Sequence, residues 1–287
     1  MIRRPPRSTQ GVSSAASDVY KRQGIDSALV AAIAVDALGS NNVRCVMLPS
    51  EFTSESSLSD ARAVAKNLNC SLDTIPISEP KTAVSKVLRD LFQDKDADVT
   101  EENIQSRLRG LLLMAMSNKF GEMLLTTGNK SEVAVGYSTI YGDMSGGYNP
   151  LKDLYKTKVF EISRWRNLNH RSWMLGSSGV IIPETILTKA PTAELRDNQK
   201  DQDSLPDYEV LDAILMAFID DEKSVAEIVK MGFDRKIVKD IEDLIYKSEY
   251  KRYQSAPGTK LSGRAFWLDR RYPVSYTHLT LPTILLV

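Results

Sequence analysis

Two short runs of this chain concentrate the residue types that handle phosphate and metal ions. One is Thr126-Thr-Gly-Asn-Lys-Ser-Glu132, followed three residues later by Gly136-Tyr-Ser-Thr-Ile-Tyr-Gly-Asp143. After an apolar stretch, these runs collect hydroxyls, a carboxamide, carboxylates and glycines. That is the composition of a loop that holds a phosphorylated ligand and a cation. The other is Gly24-Ile-Asp-Ser27, which opens an apolar run ending at Gly39. A glycine turn at a helix start offers backbone N–H groups to an anion, and the helix dipole favours negative charge there. Ser27 adds a hydroxyl. Asp26 would repel phosphate unless a cation lay between them, which makes Mg2+ the natural companion. Taken alone, these four residues also describe an ordinary capped helix.

Other candidates lie further along. Lys156 closes Asn149-Pro-Leu-Lys-Asp-Leu-Tyr-Lys156 at an expected helix start. Helix starts disfavour cations, so a ligand role for this lysine competes with plain solvation. Asn103 and Arg107 stand one turn apart on an expected long helix, where an exposed polar face is the simpler reading. Lys251 lies in Ser248-Glu-Tyr-Lys-Arg252, and Thr192 in the proline-marked run Lys189-Ala-Pro-Thr-Ala-Glu-Leu195. The polar stretch from Asp197 to Asp212 suits either a lid over substrate or an ordinary surface loop.

Bulk properties narrow the class. The 287 residues allow one large domain or two small ones. Thirty-seven basic residues balance 37 acidic ones, so nothing signals a nucleic-acid partner. Two histidines argue against a histidine-driven mechanism or a multi-histidine metal site. Cys45 and Cys70 have neither a disulfide-framework pattern nor metal-ligand spacing and read as small buried hydrophobes. No apolar run approaches the ~20 residues that span a bilayer. A reducing cytoplasm and no membrane association are the expectations.

The elements that must position these residues alternate. Helices are expected over Asp26–Leu38, Ser57–Leu68, Thr82–Phe92 and Glu101–Phe120, the last capped by Thr100. Strands are expected over Val43–Leu48, Leu72–Ile77 and Met123–Thr126. The remainder reads as helical: Lys156–Leu168, Val210–Phe218, Ser224–Met231 and Arg235–Arg252. Alternation implies an α/β fold with a parallel sheet flanked by helices and a helical C-terminal part. Ligands in such sheets sit at the carboxyl ends of the strands, which is where both phosphate-type runs fall.

The Gly24–Ser27 segment resembles the tail of the Ser-Gly-Gly-x-Asp-Ser loop of N-type ATP pyrophosphatases, whose fold is of the adenine nucleotide alpha hydrolase type. From Gly24 to about Pro273 the chain resembles the NAD synthetase family, most densely from Glu101 to Asp143. It looks like the glutamine-dependent type, in which the synthetase domain follows a glutaminase. The resemblance implies a cytoplasmic ligase that uses ATP and Mg2+ to amidate deamido-NAD through an adenylate, with ammonia or glutamine as nitrogen source. It implies catalytic roles for Asp26 and Lys156, and metal contacts from Asp26 and Glu132. ATP would be met by Gly24, Asp26, Ser27, Thr127, Lys156 and Thr192. Deamido-NAD would be met by Asn103, Arg107, Glu132, Tyr137, Ser138, Thr139, Ile140, Asp143 and Lys251. A homodimer or higher homo-oligomer is implied, and helix 101–120 would supply either that contact or a buried core helix. Another amidoligase of the pyrophosphatase type is the alternative; it should lack the Asn103–Arg107 pair.

Residues 1–23 and 274–287 match neither period nor family and resemble translated adapter sequence. The expected organisation is therefore a synthetase domain over 24–273 between non-native or disordered ends. Arg22-Gln23 stand where the family loop has serine and glycine, and no apolar strand precedes them. The expectation is a missing first strand, an incomplete phosphate loop, and weak or no activity, making an inactive fragment the other alternative. A variant given an apolar strand and a Ser-Gly-Gly loop before Ile25 should then turn over faster with ammonia than the chain as it stands. Equal rates for the two would refute the defect.

Overall fold

The computed structural model describes residues 24–93, 95–189, 194–196 and 205–273, together with the backbone of Ser14–Ser17. The elements run in order β1 (Ser14–Ser17), α1 (Gly24–Leu38), β2 (Val43–Met47), α2 (Glu55–Asn67), β3 (Ser71–Thr74), α3 (Ser78–Phe92), α4 (Val99–Phe120), β4 (Met123–Leu125), α5 (Lys130–Val135), α6 (Lys156–Leu168), α7 (Glu184–Thr188), α8 (Tyr208–Ile219), α9 (Val225–Lys230), α10 (Arg235–Lys247) and α11 (Glu249–Tyr253). The strands form one parallel sheet in the order β3-β2-β1-β4.

This sheet corrects the expectation of a missing first strand. Ser14-Ala-Ala-Ser17 occupies the central position, with Ser14 in register with both Val43 and Met123. Hydrogen bonding on both edges satisfies its backbone, and a parallel strand needs nothing more to sit in a ladder. Its serine–alanine composition has no apolar alternation, so periodicity could not reveal it. Residues 18–23, where the phosphate loop was sought, lie outside the described residues.

The strand order reverses beside β1. The chain leaves β1 for β2 on one side, whereas β4 pairs on the other. Such a reversal opens a crevice at the carboxyl ends of the two diverging strands. The start of α1 and the residues after β4 both face that crevice.

Burial follows composition. Helix α1 is apolar almost all round and is buried along most of its length, from Ile25 to Asp36. A helix without a polar face must be covered on every side, and the core around it includes Val43, Leu125, Leu151, Val159, Ile182 and Ile186. A second core joins α5, α8, α9 and α10 through Val135, Leu211, Ile214, Leu215, Ile228 and Ile241. Helix α4 starts two residues earlier than its hydroxyl suggested, because Asp98 rather than Thr100 caps it and forms a reciprocal box with Glu101. The helix expected over 235–252 is broken at Ser248. Among the described residues, no helix is long and apolar enough to cross a membrane.

Two buried charges hold the frame. Arg166 on α6 donates from Nε and Nη2 to Asp36 on α1 at 2.6 and 2.8 Å, and Nη2 also reaches Ser177 O at 2.8 Å. Lys152 donates to Ala256 O at 2.6 Å, and its ammonium lies 4.7 Å from the centre of the Trp267 ring. Burial lowers the Lys152 pKa to about 8.

Arg166→Ala would strand a buried carboxylate and should destabilise the fold by roughly 3–5 kcal/mol, read as a shift in urea midpoint. The combined Asp36→Leu/Arg166→Met variant should recover most of that loss. Lys152 gives a second test. Below pH 8 its amine is charged in both folded and unfolded chains. Between about 8 and its ordinary 10.5 the unfolded chain binds the extra proton, so stability rises with pH there. Lys152→Met should flatten that rise in urea midpoints measured at pH 7.5 and 10; an unchanged slope would sink the assignment.

Candidate active site

The site is built where three short stretches meet: the first turn of α1, the loop 126–129 running into α5, and the first turn of α6. The run 126–132 is not all loop, as its composition suggested. Asn129 caps α5, accepting the Glu132 N–H at 3.0 Å. Its other side-chain atom, Nδ2, donates to Asp26 Oδ1 at 3.0 Å. Lys156 is fully buried and its Nζ donates to Asp26 Oδ2, while Glu132 Oε1 lies 3.9 Å from the same Nζ. The Tyr208 and Phe160 rings flank that ammonium at 5.5 and 5.9 Å. Asp26, Glu132 and Lys156 thus form one buried cluster in which two carboxylates share one ammonium.

Asn129, Lys130 and Ser131 each hydrogen-bond a different partner, whereas Glu132 Oε1 stands at ion-pair distance, 3.9 Å, from the Lys156 ammonium. Lys130 donates to Ser262 Oγ and Arg264 O, both at 2.7 Å, and pairs with Asp153 at 3.2 Å. Ser131 donates to Asp212, and its Oγ accepts the Lys156 N–H at 2.9 Å. Burial pushes the Asp212 carboxyl above the usual carboxylate range, offset in part by hydrogen bonds from Ser131 and Thr157. Burial also raises the Tyr155 phenol, with the Asp220 carboxylate that accepts its O–H adding to the effect. Thr127 is buried at the mouth of β4, and among the described residues its Oγ1 has no hydrogen-bond partner.

The chemistry of the donor set bears on the metal. Among the described residues no three His, Cys, Asp or Glu side chains gather as a cage. Mg2+ is commonly held by one or two carboxylates, with phosphate and water completing its shell. Asp26 and Glu132 therefore fit a magnesium ion that arrives with a phosphorylated ligand.

A second grouping surrounds a cavity of about 680 Å³ lined by Asn103, Tyr137, Ser138, Thr139, Arg196 and Lys251. Its wall is cross-tied. Thr139 Oγ1 donates to Asn103 Oδ1 at 2.8 Å, and Lys251 Nζ donates to Gly136 O and Ser138 O at 2.7 Å. Gly136 ends α5 in the left-handed region, at φ +69°, and packs against Ser248 so closely that a Cβ has no room. Arg107, Ile140 and Asp143 are not among the residues that line this cavity. Arg107 Nε donates to Ile140 O at 3.3 Å, and Asp143 accepts the Thr139 N–H at 2.7 Å. Glu132 sits with Asp26 and Lys156 instead. Gly24 and Ser27 occupy the first turn of α1, where Ser27 Oγ donates to Gly24 O at 3.2 Å. Thr192 lies outside the described residues.

Sequence reading took Asn129, Lys130 and Ser131 only as members of the run 126–132, without individual roles, and missed Asp153 and Asp212. The spacing Asn129-x-x-Glu132 was the available signal, because it is a helix-capping pattern. Nothing local marks Asp212 in the apolar run of α8.

Comparison with known proteins gives the family. A family model described as NAD synthase matches residues 22–255. A glutamine-dependent NAD(+) synthetase of Rhodobacter capsulatus is 65% identical over 251 residues, covering 88% of this chain and 46% of the relative. The structure of the glutamine-dependent NAD+ synthetase from Acinetobacter baumannii, in complex with ADP, aligns over 92% of this chain and 46% of that one, with 42% identity and a TM-score of 0.58. NMN synthetase from Francisella tularensis aligns over 84% of this chain with 25% identity and a TM-score of 0.64. The chain spans about half the length of the curated relatives it matches. With residues 22–255, most of its length, matched by that family model, the chain belongs to the NAD synthase family.

Proposed function

We propose that this chain carries out the ATP-dependent amidation of deamido-NAD. The nicotinate carboxylate attacks the α-phosphorus of ATP and pyrophosphate leaves, giving a mixed anhydride with AMP. Ammonia then attacks the carbonyl carbon, AMP leaves, the nitrogen sheds a proton, and the amide of NAD remains. Glutamine is the proposed source of that ammonia, as in the relatives named for it.

The observation that carries this reading is the placement of two sites at the two ends of α5. Glu132 stands near its start, beside Asp26 and Lys156. Gly136 and Tyr137 follow its end and line the 680 Å³ cavity. Four residues of helix rise about 6 Å, a span that suits a dinucleotide in the cavity reaching a nucleotide at the cluster. Lys156 neutralises charge that builds on the phosphates as pyrophosphate departs. The Thr127 hydroxyl offers ATP a buried donor. Asp26 and Glu132 would hold Mg2+, which when bound supplies further charge neutralisation. Asn103, Thr139 and Lys251 shape the acceptor cavity, so binding fixes the carboxylate for attack.

The finer assignments belong to the same reading. Exposed Val87 and Leu91 on α3, with Leu111 and Phe120 on α4, suit a homodimer contact. Two free thiols suit a reducing cytoplasm.

With ATP, Mg2+, deamido-NAD and ammonium, the chain should form NAD, AMP and pyrophosphate in equal amounts. Formation of ADP and phosphate would sink the adenylate step. Lys156→Met and Asp26→Asn should each lower turnover by about 10²–10³-fold in a pyrophosphate-release assay. Replacing deamido-NAD by nicotinate mononucleotide separates this reading from one in which the acceptor is the mononucleotide.

A further inference from the structure

Helix α6 begins without a cap of its own. Tyr155 holds the N-cap position and its side chain makes no capping bond. The first amides of the helix are met from two other helices instead. Lys156 N donates to Ser131 Oγ of α5 at 2.9 Å, and Thr157 N donates to Asp212 Oδ2 of α8 at 2.8 Å. Ser131 Oγ donates its single proton to Asp212 Oδ1. That bond fixes the hydroxyl's direction and leaves its lone pairs toward the Lys156 N–H. Ser131, Asp212 and Lys156 are all fully buried. One carboxylate and one hydroxyl, both supplied across helices, thus replace the missing cap.

The placement of Lys156 makes this more than an end-capping device. A lysine at the first position of a helix opposes the positive end of the dipole. The Asp212 carboxylate puts compensating negative charge there. Because the Lys156 backbone is tied to Ser131, the start of its side chain is fixed, and the extended stem delivers Nζ onto Asp26 and to 3.9 Å from Glu132. Asp212 itself touches neither carboxylate by any direct hydrogen bond among the described residues.

We propose that Asp212, acting through Ser131 and the first turn of α6, is a positioning residue that sets where the Lys156 ammonium stands between Asp26 and Glu132. Its consequence for turnover rests on the ligase reading; its consequence for Lys156 does not.

Two measurements on the full chain test the proposal. The first needs no ligand. In a chain labelled with 15N-lysine, buried ammonium groups exchange slowly enough to be observed by NMR, and Lys156→Met identifies the Lys156 signal. Ser131→Ala and Asp212→Asn should move or broaden that signal while the Lys152 signal stays in place. Ser131→Thr, which keeps the hydroxyl, should restore it. A Lys156 signal unmoved in both variants overturns the proposal. So does equal disturbance of Lys152, which would mark general loosening. The second measurement is turnover. Asp212→Asn should lower kcat about 10–100-fold with the KM for ATP within about threefold, a loss of alignment rather than of binding. In a Lys156→Met background it should cost less than about twofold, because residues acting through one another are not additive. A full multiplicative loss there overturns the proposal. Should Asp212→Asn fail to fold, Ser131→Ala carries both measurements. A chain that makes no NAD even when given a Ser-Gly-Gly loop before Ile25 would refute the ligase reading, and the Lys156 signal would still decide this one.

Discussion

The buried contact between Asp26 and Lys156 is the constraint around which the rest of the molecule is arranged. Desolvating a carboxylate and an ammonium costs several kcal/mol per ion, and their attraction alone rarely returns it. Apolar residues of similar volume would serve stability as well. A pair of this kind is intelligible when something must later bind beside it. Here the pair joins the first turn of α1 to the first turn of α6, at the crevice that the strand order opens. Asn129 and Glu132 enter the same cluster from α5, so three helix starts converge on one point. Helix starts carry positive partial charge, and the carboxylates Asp26 and Glu132 stand in the first turns of two of them.

Helix α5 acts as the hub of this arrangement. It is six residues long, too short to be stable alone. Its order comes from side chains that point to four separate partners: α1 through Asn129, the C-terminal segment through Lys130, α8 through Ser131, and α6 through Glu132. The first three are hydrogen bonds of buried side chains, so each would be costly to leave unmade. A run that reads as a flexible phosphate loop is therefore among the most constrained pieces of backbone in the chain.

Much of this was legible in the sequence where hydrophobic period and chain punctuation agree. The apolar run after Asp26, the amphipathic faces of α2 and α10, and the stop at Gly121 place those elements within a few residues. The misses share one cause: order imposed by tertiary partners. The Ser-Ala-Ala-Ser strand has no period and is fixed by neighbours on both sides. Helix α5 is too short for a period and is fixed by its side-chain bonds. The break at Ser248 falls where Gly136 packs against it, which no local pattern records. Asp26, Glu132 and Lys156 were legible as residue types suited to phosphate and cation. That a lysine would stand between the two carboxylates was not, because it depends on where α6 starts.

The ties that complete the site also fix the order of its assembly. Asp26 reaches Lys156 across 130 positions of chain, and Lys130 reaches Arg264 across 134. Contacts of such separation form late, because loop closure must be met before they contribute. A ribosome making this protein has therefore released α1, the sheet and most of the helices before the strap at 262–264 exists to receive Lys130. Until then that ammonium has a half-built pocket and water for company. The surroundings of Lys130, and with them the last ties of α5, are thus among the last parts of the molecule to be completed.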